Sequence, residues 1–351
     1  MKVFGRYLQY RLKQSTLRTI VFTVLSVMVC LIMTSEVSSG TIHEGYRTTG
    51  IYMLAVILGI ICTLTPFLEL SVFKTRRNLD TLYFFPIKRT KMALAHYLSG
   101  AIQIFTVYTV SFVSVWVYLL ATTDCFKLGY MPLYYLFSLL LGGVMYSIFT
   151  FLFSEGNTVA DGILFCALWV FAANLVMYVF HSYVLSAVLD RKVWFELDSL
   201  SEWGVVYAPI NNLTVIFQNL IEVNRASDAG ASYYVNYADR YMAQMYMFFV
   251  WGAVGIAAAF GFFFNFKRKG AQNAGEISDS PFGYKLLIPV YGYGLLLLND
   301  TGLDILSVII FALMLVGYFI YRRSFKIKTR DIIFIACGII PLILSGVLSI
   351  F

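Results

Sequence analysis

The chain has 351 residues, of which 60% are hydrophobic and only 13% are charged, and its formal net charge is +7. Soluble globular domains contain about 45–50% apolar and about 25% charged residues. A soluble fold of this length could not bury the excess of apolar surface, so the composition excludes an ordinary soluble domain and favours a protein in contact with lipid.

Long, uninterrupted apolar runs predict α-helices that cross a membrane. A helix satisfies its own backbone hydrogen bonds in hydrocarbon, and about 20 apolar residues cross the bilayer core. The strands of a membrane barrel would instead alternate over about ten residues. We therefore predict an all-α integral membrane protein with about nine transmembrane helices, at approximately residues 17–34, 50–73, 94–121, 133–153, 159–181, 242–266, 284–298, 303–321 and 332–351.

The first sixteen residues are typical of an interfacial elbow helix. Apolar and basic side chains fall on different helical faces, the apolar ones being Val3, Phe4, Tyr7, Leu8 and Leu12. A second interpretation makes residues 1–39 a secretory signal with a basic start, an apolar core and small residues at a cleavage site. The amphipathic spacing and the long basic segment favour the elbow helix.

Two polar residues inside predicted spans are candidates for the pathway or for helix packing. Glu69 lies near the inner end of the second span, where a charge is costly and needs a partner. An ion pair with Lys74 or Arg76 that anchors the helix end is favoured over a role in transport. Asn174 lies within the fifth span, where an interhelical hydrogen bond is favoured over a substrate contact.

A short amphipathic segment separates the second and third spans. Asn78 or Asp80 could cap a helical turn there, and Pro86 would end it. The adjacent aromatic residues Phe84 and Phe85 could be buried by a soluble partner. The alternative is that these two aromatic side chains anchor the chain among lipid headgroups.

The remaining segments define the predicted organisation. Residues 17–266 contain six spans and an outer region at about 182–240, which includes Pro209, Asn211 and Asn212 in a semi-apolar stretch. That stretch predicts one or two re-entrant or interfacial helices, and a small extracellular cap is the alternative. Residues 267–283 form a predicted cytoplasmic loop, and 284–351 contain three further hydrophobic segments. The segment at 284–298 is short and contains Pro289, so a broken or re-entrant helix is an alternative to a full span.

The distribution of basic residues predicts the orientation. With the N-terminus in the cytoplasm and nine alternating spans, the inner segments hold 20 of the 26 Lys and Arg residues. This topology places the C-terminus outside the cell. The positive charge would then face anionic membrane lipid, and nucleic acid is not an expected partner.

The sequence contains none of the catalytic or nucleotide-binding motifs for which we searched. A phosphate-binding G-x-x-x-x-G-K-[ST] loop, an H-E-x-x-H metal motif and a G-x-S-x-G nucleophile elbow are all missing. The three histidines are scattered over different segments, and the five cysteines form no C-x-x-C pair. We therefore predict no catalytic residue, metal or cofactor in this chain.

The run that begins at Asn78, Asn-Leu-Asp-Thr-Leu-Tyr-Phe-Phe-Pro-Ile-Lys-Arg-Thr-Lys, resembles the segment between spans two and three of bacterial type-2 ATP-binding-cassette exporter permeases. In that family the segment is the coupling helix, which docks on the cassette ATPase. The elbow helix and the outer region before the sixth span are also similar. The resemblance covers about residues 1–266, and the three later hydrophobic segments depart from the six-span pattern.

The resemblance implies a permease subunit in the cell membrane, which acts with a separate cassette ATPase and a second permease copy or a sister permease. ATP hydrolysis would then occur on the partner, so the chain itself would not be an enzyme. The expected docking residues are Asp80, Leu82, Phe84, Phe85, Pro86, Lys88 and Arg89. The alternatives are a non-transporting membrane scaffold or sensor and, with less support, an integral-membrane enzyme acting on lipid or peptide. The transported substrate cannot be assigned from the sequence.

Overall fold

The computed structural model describes residues 2–38, 49–75, 87–122, 128–180, 206–226, 246–268, 275–298 and 305–322, together with 329, 332 and 333. Within these residues the chain forms helices and helical turns and contains no β-strand. The all-α class predicted from the sequence is therefore confirmed for the described part of the chain.

The described helices follow the predicted apolar runs. They are α1 (Lys2–Ser38), α2 (Thr49–Leu70), α3 (Arg89–Thr122), α4 (Met131–Glu155), α5 (Val159–Phe180), α6 (Ala208–Ala226), α7 (Tyr246–Arg268), α8 (Leu286–Leu298) and α9 (Ile305–Arg322). Short 3-10 helices lie at Ser71–Lys74 and Leu128–Tyr130, and a π-helical turn lies at Pro281–Lys285.

Six helices in the described ranges are long and apolar enough to cross a membrane, namely α1 to α5 and α7. They match the first six predicted spans. Helix α8 has 13 residues and rises about 20 Å, which is less than the roughly 30 Å of a hydrocarbon core. Of the ninth predicted span, only residues 332 and 333 are described. The chain is thus a multi-pass helical protein, and nine spans are not confirmed.

The N-terminal segment differs from the prediction. Instead of an elbow helix over residues 1–16 followed by a separate span, α1 is one helix of 37 residues without a break. The sequence after Gly5 contains no glycine or proline up to Ser38, so nothing in it interrupts helical hydrogen bonding. At 1.5 Å per residue α1 is about 55 Å long, so part of it extends beyond a bilayer core or tilts across it.

The first of two compact units comprises Met1–Phe151 and Tyr207–Gly270. In this unit α1 lies along α3 and α2, while α3 also packs against α2 and α7. The hydroxyl groups of Tyr108 and Ser138 are 2.7 Å apart and join α3 to α4. Such bonds between helices satisfy polar groups that have no access to water in a membrane.

Helix α6, in the predicted outer region, packs against α2 within the first unit. The hydroxyl groups of Tyr207 and Thr63 are 2.9 Å apart, and the Tyr207 ring also lies against Gly59. Further along α6, the hydroxyl of Thr214 lies 3.1 Å from that of Tyr134, at the start of α4. The start of α6 therefore lies beside the middle of α2 and not beyond its end. Residues 182–205 of the same region lie outside the described residues.

The second unit comprises Leu152–Val206 and Ala271–Phe351. Here α8 packs against both α5 and α9. Leu287 is buried against Phe165 of α5, and the Tyr291 hydroxyl donates a 2.6 Å hydrogen bond to the Leu168 carbonyl. The predicted organisation placed the fifth span with the six-span core and separated it from residues 284–351. The structure groups α5 with the C-terminal helices because α8 buries its apolar side chains on α5.

Candidate functional site

A carboxylate with no solvent exposure lies at the C-terminal end of α2. The side chain of Glu69 is 0% exposed, and it belongs to the last turn of the helix before the 3-10 helix at Ser71–Lys74. A buried carboxylate is stable only when charges and hydrogen-bond donors compensate its lost hydration. Its partners therefore indicate which parts of the chain this position holds together.

Two arginines of α1 provide the compensating charge. The Nη2 atom of Arg11 lies 3.0 Å from Oε2 of Glu69, and Arg18 donates through Nη2 to Oε1. The two arginines are seven residues apart, which is two helical turns and places them on the same face of α1. Arg11 also donates a 2.7 Å hydrogen bond to Gln14. The ion pairs bind α1 to the C-terminal end of α2.

Helix α3 contributes an amide and an imidazole. Gln103 donates a 2.7 Å hydrogen bond from Nε2 to Oε1 of Glu69, and its Oε1 accepts a 2.8 Å hydrogen bond from Arg18. His96 Nδ1 lies 3.0 Å from the Glu69 carbonyl oxygen. That oxygen can only accept, so Nδ1 must carry the proton, and Nε2 then accepts from the Tyr7 hydroxyl at 2.9 Å in the neutral imidazole.

We call the set of Glu69, Arg11, Arg18, His96 and Gln103 the Glu69 cluster. It joins three helices, since two members lie on α1, one on α2 and two on α3. With a neutral His96, the cluster holds one negative and two positive charges. No bond in it requires a bound ligand, so its geometry supports a clamp between helices.

An apolar cluster lies beside His96 of the Glu69 cluster. Tyr7, Met92 and Ala95 are buried there, with the partly buried hydrophobic residues Phe4, Leu8, Val72, Phe73 and Ile87 packed around them. The Phe73 ring also contacts the His96 ring edge-on, with centroids 4.5 Å apart. Val72 and Phe73 precede residues 76–86 and Ile87 follows them. The described residues on either side of this segment therefore pack in one apolar cluster.

The structure describes only part of the predicted docking site. Asp80, Leu82, Phe84, Phe85 and Pro86 lie outside the described residues. Lys88 and Arg89 are exposed at the start of α3, where the Lys88 carbonyl accepts the first helical hydrogen bonds. Their role in docking stays a prediction.

The other predicted site residues occupy different surroundings. Glu69 was expected to pair with Lys74 or Arg76, and Arg76 is not among the described residues. The described partners of Glu69 lie on α1 and α3, and the pairing with Lys74 or Arg76 stays a prediction. Asn174 is half-buried on α5, which belongs to the second unit, and its predicted role in helix packing or the pathway stays a prediction.

Sequence reasoning did not connect Arg11, Arg18, His96 and Gln103 with Glu69. The available signal was the spacing of Arg11 and Arg18, which are seven residues apart and so share one face of a helix. Among the described residues, no group of three or more His, Cys, Asp or Glu side chains is placed to hold a metal ion. Comparisons of the chain with protein-family models, with curated proteins and with solved structures found no match.

Proposed function

We propose that this chain is the membrane-spanning permease subunit of an ATP-binding-cassette exporter, powered by a cassette ATPase on a separate chain. The support is the set of six apolar helices, the lack of a phosphate-binding loop in the sequence, and the amphipathic segment between the second and third spans. Each of these features is expected of a subunit that forms the transport pathway while a partner subunit binds ATP.

The Glu69 cluster is the observation that carries this proposal. It binds the helix before residues 76–86 to the helix after them, and it binds both to α1. A displacement of segment 76–86 by a partner would therefore move three spans together, since the clamp opposes independent motion of the helices. A permease that receives work from an ATPase at its inner face needs such a mechanical connection.

The proposal includes a topology and an assembly. The N-terminus and residues 76–86 would face the cytoplasm of a bacterial cell, and the C-terminus would lie outside if all nine predicted segments cross the membrane. A second copy of this chain or a sister permease would complete the pathway, as the resemblance to type-2 exporter permeases implies.

Affinity purification of the detergent-solubilised chain from its native membrane tests the proposal directly. We expect a cassette protein to co-purify and to hydrolyse ATP in a magnesium-dependent manner. An eluate without ATPase activity, or an ATPase whose turnover is the same with and without this chain, would favour a scaffold or sensor instead.

Substitutions in the docking segment locate the contact. Phe84→Ala combined with Phe85→Ala should weaken ATPase binding at least thirtyfold, because buried aromatic residues dominate protein interfaces. A matched control is Phe249→Ala with Phe260→Ala on α7, where the two residues are 81% and 73% exposed. The control should retain the partner. Equal retention by both double variants would exclude this segment as the docking site.

A further inference from the structure

Three exposed cations lie where α3 begins and α7 ends. Lys91, Lys267 and Arg268 are exposed, and none of them forms an ion pair within the described residues. Residues 87–94 and 263–268 contain no acidic residue. The Arg268 guanidinium lies 3.9 Å from the centre of the Phe264 ring, which holds this charge at the end of the helix. The patch therefore attracts anions.

An open groove adjoins these cations. Thr90, Lys91, Leu94 and Phe263 line it. Phe263 packs against Tyr97 of α3 with ring centroids 5.6 Å apart, so the two helices form a continuous surface. Lys267 is four residues after Phe263, one turn closer to the end of α7 and on the same helical face. The groove thus has lysines near the start of α3 and the end of α7, and apolar side chains further along the two helices.

The surface beyond the groove is apolar on both helices. On α3 the exposed Phe105 shares a helical face with Leu94, and on α7 the exposed Ile256 and Phe260 share a face with Phe263. Along α3 and α7, with increasing distance from Lys91 and Lys267, the surface is first cationic, then a groove of mixed polarity, and then apolar. A phospholipid has the same order, with an anionic headgroup followed by acyl chains.

We propose that this groove is a binding site for one anionic phospholipid molecule. Lys91 and Lys267 bind the phosphate, the Thr90 hydroxyl donates a hydrogen bond to it, and an acyl chain lies along Leu94 and Phe263. Charge complementarity selects an anionic headgroup, and the apolar continuation selects a lipid over a soluble anion. This site does not depend on the proposed transport function.

The test measures lipid binding to the full-length chain in detergent by native mass spectrometry, with phosphatidylglycerol, phosphatidylcholine and inorganic phosphate as separate probes. We expect one tightly retained phosphatidylglycerol and much weaker retention of the other two. Lys91→Gln with Lys267→Gln should weaken phosphatidylglycerol binding about twenty-five-fold, from about fivefold for each lysine near a membrane surface. Lys91→Arg with Lys267→Arg should restore most of the binding.

A matched control is Lys13→Gln, which removes an exposed lysine from α1 in the same unit. It should leave phosphatidylglycerol binding unchanged, and both glutamine variants should melt at the wild-type temperature without lipid. An equal loss in the Lys13→Gln variant would overturn the proposal, because the attraction would then be general. Tight binding of inorganic phosphate alone, or wild-type lipid binding by the double glutamine variant, would also overturn it.

Discussion

Each of the two units contains a carboxylate paired with two cations, but only one of these groups is buried. In the first unit Glu69 is 0% exposed and pairs with Arg11 and Arg18. In the second unit the Asp279 side chain is 73% exposed, with Lys285 Nζ at 2.7 Å and Arg322 Nη1 at 3.8 Å. Each carboxylate also belongs to a network that contains a tyrosine hydroxyl.

The difference between the two groups is what happens when a partner is lost. Water can solvate Asp279 or its cations once the pair separates, so an exposed pair contributes little to stability. Water does not reach Glu69. Removal of either the carboxylate or its arginines therefore leaves a buried charge without compensation. The same chemical grouping is therefore a surface contact in one unit and a clamp between three helices in the other.

The largest expected effect is that of Glu69→Ala. The substitution leaves Arg11 and Arg18 facing each other without a counterion, which should reduce the free energy of unfolding by about 3–5 kcal/mol. Thermal unfolding of the purified full-length chain in detergent measures this loss. Asp279→Ala is the matched control in the second unit. Similar small losses for both variants would show that burial does not distinguish the two groups.

An intermediate effect is expected for Arg11→Ala. Glu69 keeps Arg18 and Gln103 in this variant, so the loss should be about 1.5–3 kcal/mol, the range for a hydrogen bond to a charged group. Arg6→Ala on the same helix is the control, because Arg6 is exposed and its loss should change stability by less than about 0.5 kcal/mol. Equal melting temperatures for the two variants would argue against a clamp.

The smallest effect is expected at Asp279. Partial burial raises the pKa of Asp279, but hydrogen bonds from Lys285 and Tyr321 and the charges of Lys285 and Arg322 outweigh burial and lower the pKa below its ordinary value of 3.8. A lowered pKa in the folded state stabilises the protein above the unfolded value, and this contribution is lost as the pH falls through the folded value.

Asp279→Asn should therefore reduce stability by at most about 1 kcal/mol at pH 7, since the pair is exposed. The difference between the variant and the wild type should shrink as the pH falls below 3.8. Melting temperatures of both proteins across this pH range measure it. A difference that grows toward acidic pH would contradict the assigned direction of the shift.

The sequence was sufficient to identify Glu69 as a residue that needs a partner, because a charge within an apolar run is costly wherever it folds. It was not sufficient to identify the partners. Arg11 and Arg18 are 58 and 51 residues away from Glu69 along the chain. Basic residues before a first span are common in cytoplasmic segments, so these two arginines did not stand out as partners of Glu69. For α1 the pattern suggested two elements, since amphipathic and apolar stretches follow one another, but helical hydrogen bonding continues through both.

The sequence by itself determined the all-α class and the six long apolar helices. The composition and length of each apolar run set the free energy of its transfer from water to lipid, and a single segment in lipid must satisfy its own backbone hydrogen bonds as a helix. Only the tertiary structure decided that α1, α2 and α3 meet at Glu69, that α6 begins beside the middle of α2, and that α8 packs on α5. These contacts depend on which helical faces fit together. Many apolar faces are equally compatible with lipid, so hydropathy alone does not select among them.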